Sequence, residues 1–330
     1  MTATHYRFAT APCMDWSDRH CRHFWRGLTR HARLYTEMVT TGAILFGDAH
    51  RHLKLTPDAN TALQLGGSDA NALARCAEIA TPYGYAEINL NCGCPSDRVQ
   101  EGRFGACLMN EPVTVAAAVA AMRRATAVPV TVKHRIGVDD SEDYPFLKHF
   151  VETVAAAGCT TFIVHARKAW LKGLSPKENR EIPPLTYEHV NRLKQELPQL
   201  TIIINGGIQT LGDCERHLLE VDGVMLGRAA YENPWLLSRV DSHFFAAEQD
   251  PALTREQALL RLRPYVESEL ADGTPLGAIT RHVLGLYRGE KGGRLFRRVL
   301  SEGSHKKGAG WPLIAQAMNE VAAHTEAQAA

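Results

Sequence analysis

Eight short apolar runs rich in β-branched residues recur along this chain with helix-like segments between them, and that alternation admits few folds. The runs are residues 7–14 (RFATAPCM), 33–39 (RLYTEMV), 61–67 (TALQLGG), 85–93 (YAEINLNCG), 129–137 (PVTVKHRIG), 161–167 (TFIVHAR), 201–207 (TIIINGG) and 222–230 (DGVMLGRAA). Segments such as NALARCAEIATPYG, VTVAAAVAAMRRAT and FLKHFVETVAAAG separate them. Parallel strands need a crossover between each pair, usually a helix, and eight βα units over about 230 residues match a TIM (β/α)8 barrel in count and length. A doubly wound open sheet is the alternative.

After Trp235 the strand signal stops, and the remaining apolar positions fall at helical spacing with glycines between them. The expected organisation is therefore an α/β barrel domain over 1–240 and an all-helical C-terminal domain over 245–330. No charged leader followed by an apolar core opens the sequence, and no apolar run approaches membrane-spanning length, so a cytoplasmic protein with no membrane partner is expected. Eight cysteines occur without a CxxC pair, which argues against a disulfide framework and against a metal site.

Charge is informative only locally. The whole chain carries a formal +1, which by itself predicts no polyanionic partner. Residues 281–307, however, hold eight Lys/Arg and two acids, a net of +6, which leaves −5 on the rest. Arg294, Arg297 and Arg298 stand at i, i+3 and i+4, one face of a helix. Such a run can be a solvated face; it also suits a surface that tracks phosphates, as a nucleic acid requires.

In a TIM barrel the chemistry sits at the C-terminal ends of the strands. Here those ends carry Pro12, Met14, Glu37, Gln64, Asn89, Asn91, Cys94, Lys133, Arg135, His165, Arg167, Asn205, Gly207, Gly227 and Arg228. Any one could be a satisfied structural residue, but polar groups at nearly every end point to a site. Asn205-Gly206-Gly207 and Gly227-Arg228 follow the seventh and eighth runs, where barrels commonly hold a phosphate on bare backbone N–H groups. Lys133 and Gln64 would suit a heteroaromatic ring that takes up negative charge, such as reduced flavin. Beside such a ring the Cys94 thiol would stay protonated and serve as a proton donor. Cys92 has the opposite strand parity and reads as a packing residue.

The strings APCMDWSDRH, YTEMVTTGAI, ALQLGGSD, EINLNCGCPSDRVQ, HARKAWLKGLSPKENREIPPL and DGVMLGRAAYENP closely resemble the tRNA-dihydrouridine synthases, in particular their A subfamily. The likeness runs from about residue 7 to about residue 310. It implies an FMN-dependent barrel, a C-terminal helical domain that binds tRNA, NADPH as electron donor, and reduction of the C5–C6 double bond of D-loop uridines 20 and 20a. By the same likeness Cys94 is the catalytic cysteine, protonating C5 while hydride from flavin N5 reaches C6. Pro12, Met14, Gln64, Lys133, His165, Asn205, Gly207, Gly227 and Arg228 become flavin contacts, and Asn91, Lys177, Arg180, Arg294 and Arg297 become tRNA contacts. Three positions depart from the usual pattern: Cys13 stands where the motif has Met, His134 follows the strand-five lysine in place of a small residue, and Cys92 stands where an aliphatic residue is common. The rival readings are an FMN barrel acting on a free pyrimidine, which would need no basic helix, and a non-catalytic tRNA-binding folding factor.

Overall fold

The structure, a computed structural model, describes residues 3–55, 60–252 and 254–327; residues 328–330 at the end of the expected helical domain lie outside them. The chain divides into two compact units, one of residues up to Met14, Arg33–Ile208 and Gly212–Gly227, the other of Asp15–Ala32, Gln209–Leu211 and Arg228 onward.

The first unit holds eight parallel strands: β1 (Phe8–Thr10), β2 (Leu34–Thr40), β3 (Thr61–Gly66), β4 (Glu87–Cys92), β5 (Val130–Arg135), β6 (Thr161–His165), β7 (Thr201–Asn205) and β8 (Gly223–Leu226). They pair in the order β1-β8-β7-β6-β5-β4-β3-β2. The ring closes where Thr10 N–H donates to the Arg33 carbonyl (2.9 Å) and Arg33 N–H donates to the Phe8 carbonyl (3.0 Å). The result is the expected TIM barrel. β1 is shorter than the seven-to-fourteen run because Pro12 has no N–H to continue the ladder after Ala11 donates to Leu226 (2.7 Å).

Helices cross between successive strands and bury one stripe each. Pro112–Ala125 starts on a proline, which gives up no needed N–H there, and buries Val115, Ala118, Val119 and Met122. Ala70–Ala80 is capped by Asp69, whose carboxylate accepts from Ala72 N–H (2.7 Å). Each fully buried aliphatic side chain in these stripes contributes about 1.5–3 kcal/mol, so a charge at Val119 would unseat its helix.

Inside the barrel, alternate residues point to the axis. Tyr6, Ala9, Ala11, Tyr35, Ala62, Ile163, Ile203 and Met225 form an apolar cluster against which Cys13 packs. The register sets Gln64 beside Asn89, Asn89 beside Thr131, Asn91 beside Lys133, Arg135 beside His165, and His165 beside Asn205. The inward parity of five strands, β3 to β7, thus delivers polar side chains to adjacent positions.

The second unit is helical among its described residues. Asp18 caps the helix Arg19–Arg26 by accepting from His20 and Cys21 N–H (both 2.9 Å). That helix is tied to Arg255–Ala271: Arg19 clamps Glu269 with both guanidinium ends, His20 Nδ1 meets the Tyr265 hydroxyl at 2.8 Å, and His23 stacks on the Tyr265 ring at 3.8 Å. Hydrogen bonds from Arg19 hold the Glu269 carboxyl down at about 2. Asp18 also accepts from Arg281 (2.6 Å) and pairs with His282 (3.0 Å). The helices Gly293–Gly303 and Trp311–Ala327 bury Phe296, Leu300, Trp311, Ile314 and Ala317.

Candidate active site

The loop that follows β4 is held from both sides. Asn91 Oδ1 accepts from the backbone N–H groups of Gly93 (3.1 Å) and Cys94 (3.0 Å), while Arg135 Nε donates to the Gly93 carbonyl (2.9 Å). Cys94 is thereby fixed as a half-buried thiol, 3.5 Å from the Ser96 hydroxyl. Cys92, two residues earlier, is fully buried, and that burial pushes its thiol far up, as its packing role requires.

Arg135 does more than hold Gly93. Its Nη1 donates to the carbonyls of Lys168 (2.8 Å) and Asn179 (3.0 Å), on the loop after β6. Gln100 joins the same two loops through the carbonyls of Pro95 and Leu171 (both 2.8 Å). The loop after β6 is itself built on buried Asn179, whose amide accepts from Trp170 N–H (2.8 Å) and donates to the carbonyls of Trp170 (2.9 Å) and Leu174 (3.1 Å). Lys177 and Arg180 lie exposed at this turn, Arg180 at the end of the short helix Glu178–Arg180.

Lys133 Nζ donates to Asn205 Oδ1 (3.1 Å), and Asn205 in turn donates to the Met225 carbonyl (2.7 Å). Burial, then the charge of Arg135, lowers Lys133 to about 8, against an opposing influence from Cys13 and Cys94. Burial likewise lowers Arg135 to about 10, with Arg180 and Arg167 adding repulsion. His165 is held well below the ordinary range by burial and by the charges of Arg135, Lys133, Arg167 and Arg180, so its ring is neutral. Among the described residues neither Lys133 nor Arg135 has a carboxylate partner. Cations buried on carbonyl and amide oxygens alone are an electrostatic demand for an anionic ligand.

Gly206 and Gly207 follow β7 with φ of +116° and +71°, a left-handed turn that L side chains rarely adopt. A Cβ at Gly207 would come within 2.5 Å of Leu185 and 2.7 Å of the Tyr187 hydroxyl. Tyr187 donates to the Gly206 carbonyl (2.8 Å), which locks the turn. Gly227 ends the barrel unit, and Arg228 opens the helix Arg228–Glu232 of the other.

The remaining expected positions are placed as follows. Gln64 is buried beside Asn89 and Asn91; Pro12 is partly exposed and Met14 exposed after β1. His134 points away from the barrel axis into the helix layer, against Phe150 (5.0 Å) and Phe162 (5.8 Å), so its departure from the usual residue does not touch the site. Arg294 and Arg297 are exposed on one face of Gly293–Gly303, with Arg298 between the same turns. Of the eight cations in 281–307, Arg281 pairs with Asp18 and Arg288 with Glu232 (2.6 Å). The side chains of the other six make no ion pair or hydrogen bond among the described residues. Sequence reasoning overlooked Glu87 and Thr131, and gave no role to Arg135; the signal available was their inward parity with Asn91 and Lys133.

No helix among the described residues is long and apolar enough to cross a membrane, and no cluster of three His, Cys, Asp or Glu side chains that could hold a metal occurs among them. A family model described as dihydrouridine synthase matches residues 9–327. A Yersinia pestis protein named tRNA-dihydrouridine(20/20a) synthase is 56% identical over 313 residues, 94% of this chain and 90% of that one. A protein of the same name from Xanthomonas axonopodis pv. citri is 56% identical over 317 residues, 96% and 94% of the two chains. Among solved structures, a 2-naphthoyl-CoA reductase complex superposes with a TM-score of 0.55 at 10% identity, over 71% of this chain and about half (49%) of that one. That last likeness concerns the fold alone.

Proposed function

The chain belongs to the dihydrouridine synthase family, and from that premise we propose that it is an FMN-dependent oxidoreductase that reduces the C5–C6 double bond of uridines 20 and 20a in the tRNA D-loop, with NADPH as electron donor. The printed names of its relatives support the substrate. The observation that carries the chemistry is the placing of one half-buried thiol, Cys94, on a loop clamped by Asn91 and Arg135 beside the half-buried cation Lys133.

The residues present fit the cofactor. Lys133 and Arg135, without a carboxylate partner among the described residues, would be balanced by an anionic flavin; Gln64 would offer amide groups to its pyrimidine edge; Gly207 and Gly227, with Arg228, would receive its phosphate. Pro12, Met14, His165 and Asn205 would complete its surroundings. When bound, the flavin supplies as hydride the two electrons that NADPH provides. The protein must then bring the base out of its stack, since the chemistry cannot reach it there. Asn91 would hold the uracil edge, and Cys94 gives its thiol proton to C5 as C6 gains hydride, with solvent restoring the thiol. Uridine, NADPH and one proton thereby become dihydrouridine and NADP+. The uncommitted cations on Gly293–Gly303, with Lys177 and Arg180, would grip tRNA phosphates and orient the D-loop. We place the enzyme in the cytoplasm with its substrate.

The test is direct. The purified, FMN-loaded protein is mixed with NADPH and an unmodified tRNA transcript, and dihydrouridine is mapped by mass spectrometry. The reading expects dihydrouridine at positions 20 and 20a. NADPH oxidation with reduction of free uracil and none of tRNA would replace it with a free-pyrimidine enzyme; tRNA binding with no reduction of any pyrimidine would make the protein a folding factor.

A further inference from the structure

A single directed chain of hydrogen bonds links the Cys94 loop to a carboxylate deep in the barrel. The backbone N–H groups of Gly93 and Cys94 donate to Asn91 Oδ1. Asn91 Nδ2 donates to Gln64 Oε1 (2.8 Å), Gln64 Nε2 donates to Asn89 Oδ1 (2.8 Å), and Asn89 Nδ2 donates to Thr131 Oγ1 (2.8 Å). The Thr131 hydroxyl donates to Glu87 Oε1 (2.5 Å), which also accepts from the Tyr35 hydroxyl (2.6 Å). Arg33 Nη1 stands 3.7 Å from the other oxygen, Glu87 Oε2. All these groups lie in the barrel unit, and Glu87, Asn89, Thr131, Gln64 and Asn91 are buried.

The direction of the chain is fixed from both ends. At the top, two backbone N–H groups can only donate, so the Asn91 oxygen must face them. At the bottom a carboxylate beside a guanidinium only accepts, so the Thr131 hydrogen must point to Glu87 and its lone pair to Asn89. The three amides between have one orientation that satisfies both ends, and any flip would set oxygen against oxygen at one link. The chain leaves Asn91 one group to offer: both of its oxygen contacts are used, and a single N–H remains.

We propose that Glu87 is a positioning residue that sets the polarity of this chain, so that Asn91 presents only a donor to the bound base and Cys94 is held by the same lock. A base edge bearing carbonyl oxygen, as in uracil, is accepted; one bearing an amino group, as in cytosine, meets hydrogen with hydrogen. Gln64 is turned by the same constraint toward the ring it faces. The inference rests on the function proposed above.

The break is best made at Thr131, because Thr131→Val keeps the shape while removing the hydroxyl, and Thr131→Ser keeps the hydroxyl. Each variant is loaded with FMN and assayed for kcat and KM on a tRNA transcript, for FMN affinity, and for the visible spectrum of the bound flavin. Thr131→Val is expected to lower kcat by on the order of 10-fold or more with little change in the KM for tRNA, and to shift the spectrum through the reoriented Gln64 amide. Thr131→Ser is expected to restore both. Thermal melts separate a folding defect, which would lower the flavin-loaded fraction but leave kcat per bound flavin unchanged. Unchanged kcat per flavin and an unchanged spectrum in Thr131→Val would overturn the proposal. If the parent protein makes no dihydrouridine the functional reading fails instead, and the spectrum and FMN affinity of the two variants still decide whether the chain orients Gln64.

Discussion

Replacing Lys133 with methionine should make the flavin-free protein more stable while weakening its hold on an anionic flavin. Burial and the neighbouring Arg135 bring Lys133 down from 10.5 to about 8. At about 1.4 kcal/mol per pKa unit, charging it in the flavin-free native state costs roughly 3 kcal/mol. Against this, methionine forfeits the bond to Asn205 Oδ1, a loss of about 1–2 kcal/mol. A net gain of about 1–2 kcal/mol at pH 7 follows. The sign changes with pH in a definite window. Below pH 8 both folded and unfolded lysine are protonated and the full cost is present; between about 8 and 10.5 only the unfolded chain keeps the proton, so the parent protein recovers stability as pH rises. The advantage of Lys133→Met should therefore vanish near pH 9 and reverse by pH 10. Urea unfolding of both flavin-free proteins at pH 7 and pH 10 measures this, and titration with FMN measures the cost in affinity. A variant less stable than the parent at pH 7, or a difference equal at the two pH values, would refute the picture of Lys133 as a cation waiting for an anion.

Cys94→Ala should keep flavin binding and NADPH oxidation yet lower dihydrouridine formation by about 10²–10⁴-fold, the range of a lost general acid; full tRNA turnover would remove its role. Charge reversal at Arg294 and Arg297 should abolish tRNA turnover and flatten the salt dependence of tRNA binding while NADPH oxidation persists, as filter binding across a salt series will show. Gly207→Ala should fail to bind FMN tightly, since a methyl there strains a φ of +71° and strikes Leu185; fluorescence titration of FMN checks it. Glu269, held at about 2 mainly by Arg19, contributes stability present above its ordinary 4.5 and lost as pH falls toward 2, so Glu269→Gln should remove that part of the acid sensitivity, read by circular dichroism on acid titration.

The barrel was legible because its strands are short, apolar and regularly spaced, and because interior parity follows from counting by two. Gln64, Asn91, Lys133, His165 and Asn205 fall on inward positions for that reason, and the structure brings them into adjacent register rows. Two features of the fold were not legible. The ends of β1 and β8 read too long, since side-chain pattern does not reveal where ladder bonding stops; Pro12 decides it at one end. The residues Asp15–Ala32 sit between two strands in sequence yet pack with Arg255–Ala271, through Arg19 with Glu269 and His20 with Tyr265. Pairings separated by some 250 positions leave no periodic trace in a single sequence. The role of Glu87 was overlooked for a different reason: its inward parity was readable, but an acid at the lower end of a strand reads as ordinary until its partners Tyr35, Thr131 and Arg33 are seen around it.

The buried Asn179 carries a consequence for how such a barrel can diversify. The course of the loop after β6 is held by this amide and by Arg135, both turned inward, with Gln100 at Leu171, while the side chains of Lys172, Lys177 and Arg180 lie exposed along it. The exposed residues can therefore be exchanged like type in a fixed press: new charge patterns on the same frame would present a different nucleotide to an unaltered thiol. Transplanting the outward residues alone should move selectivity between relatives, and transplanting the loop without its asparagine should not.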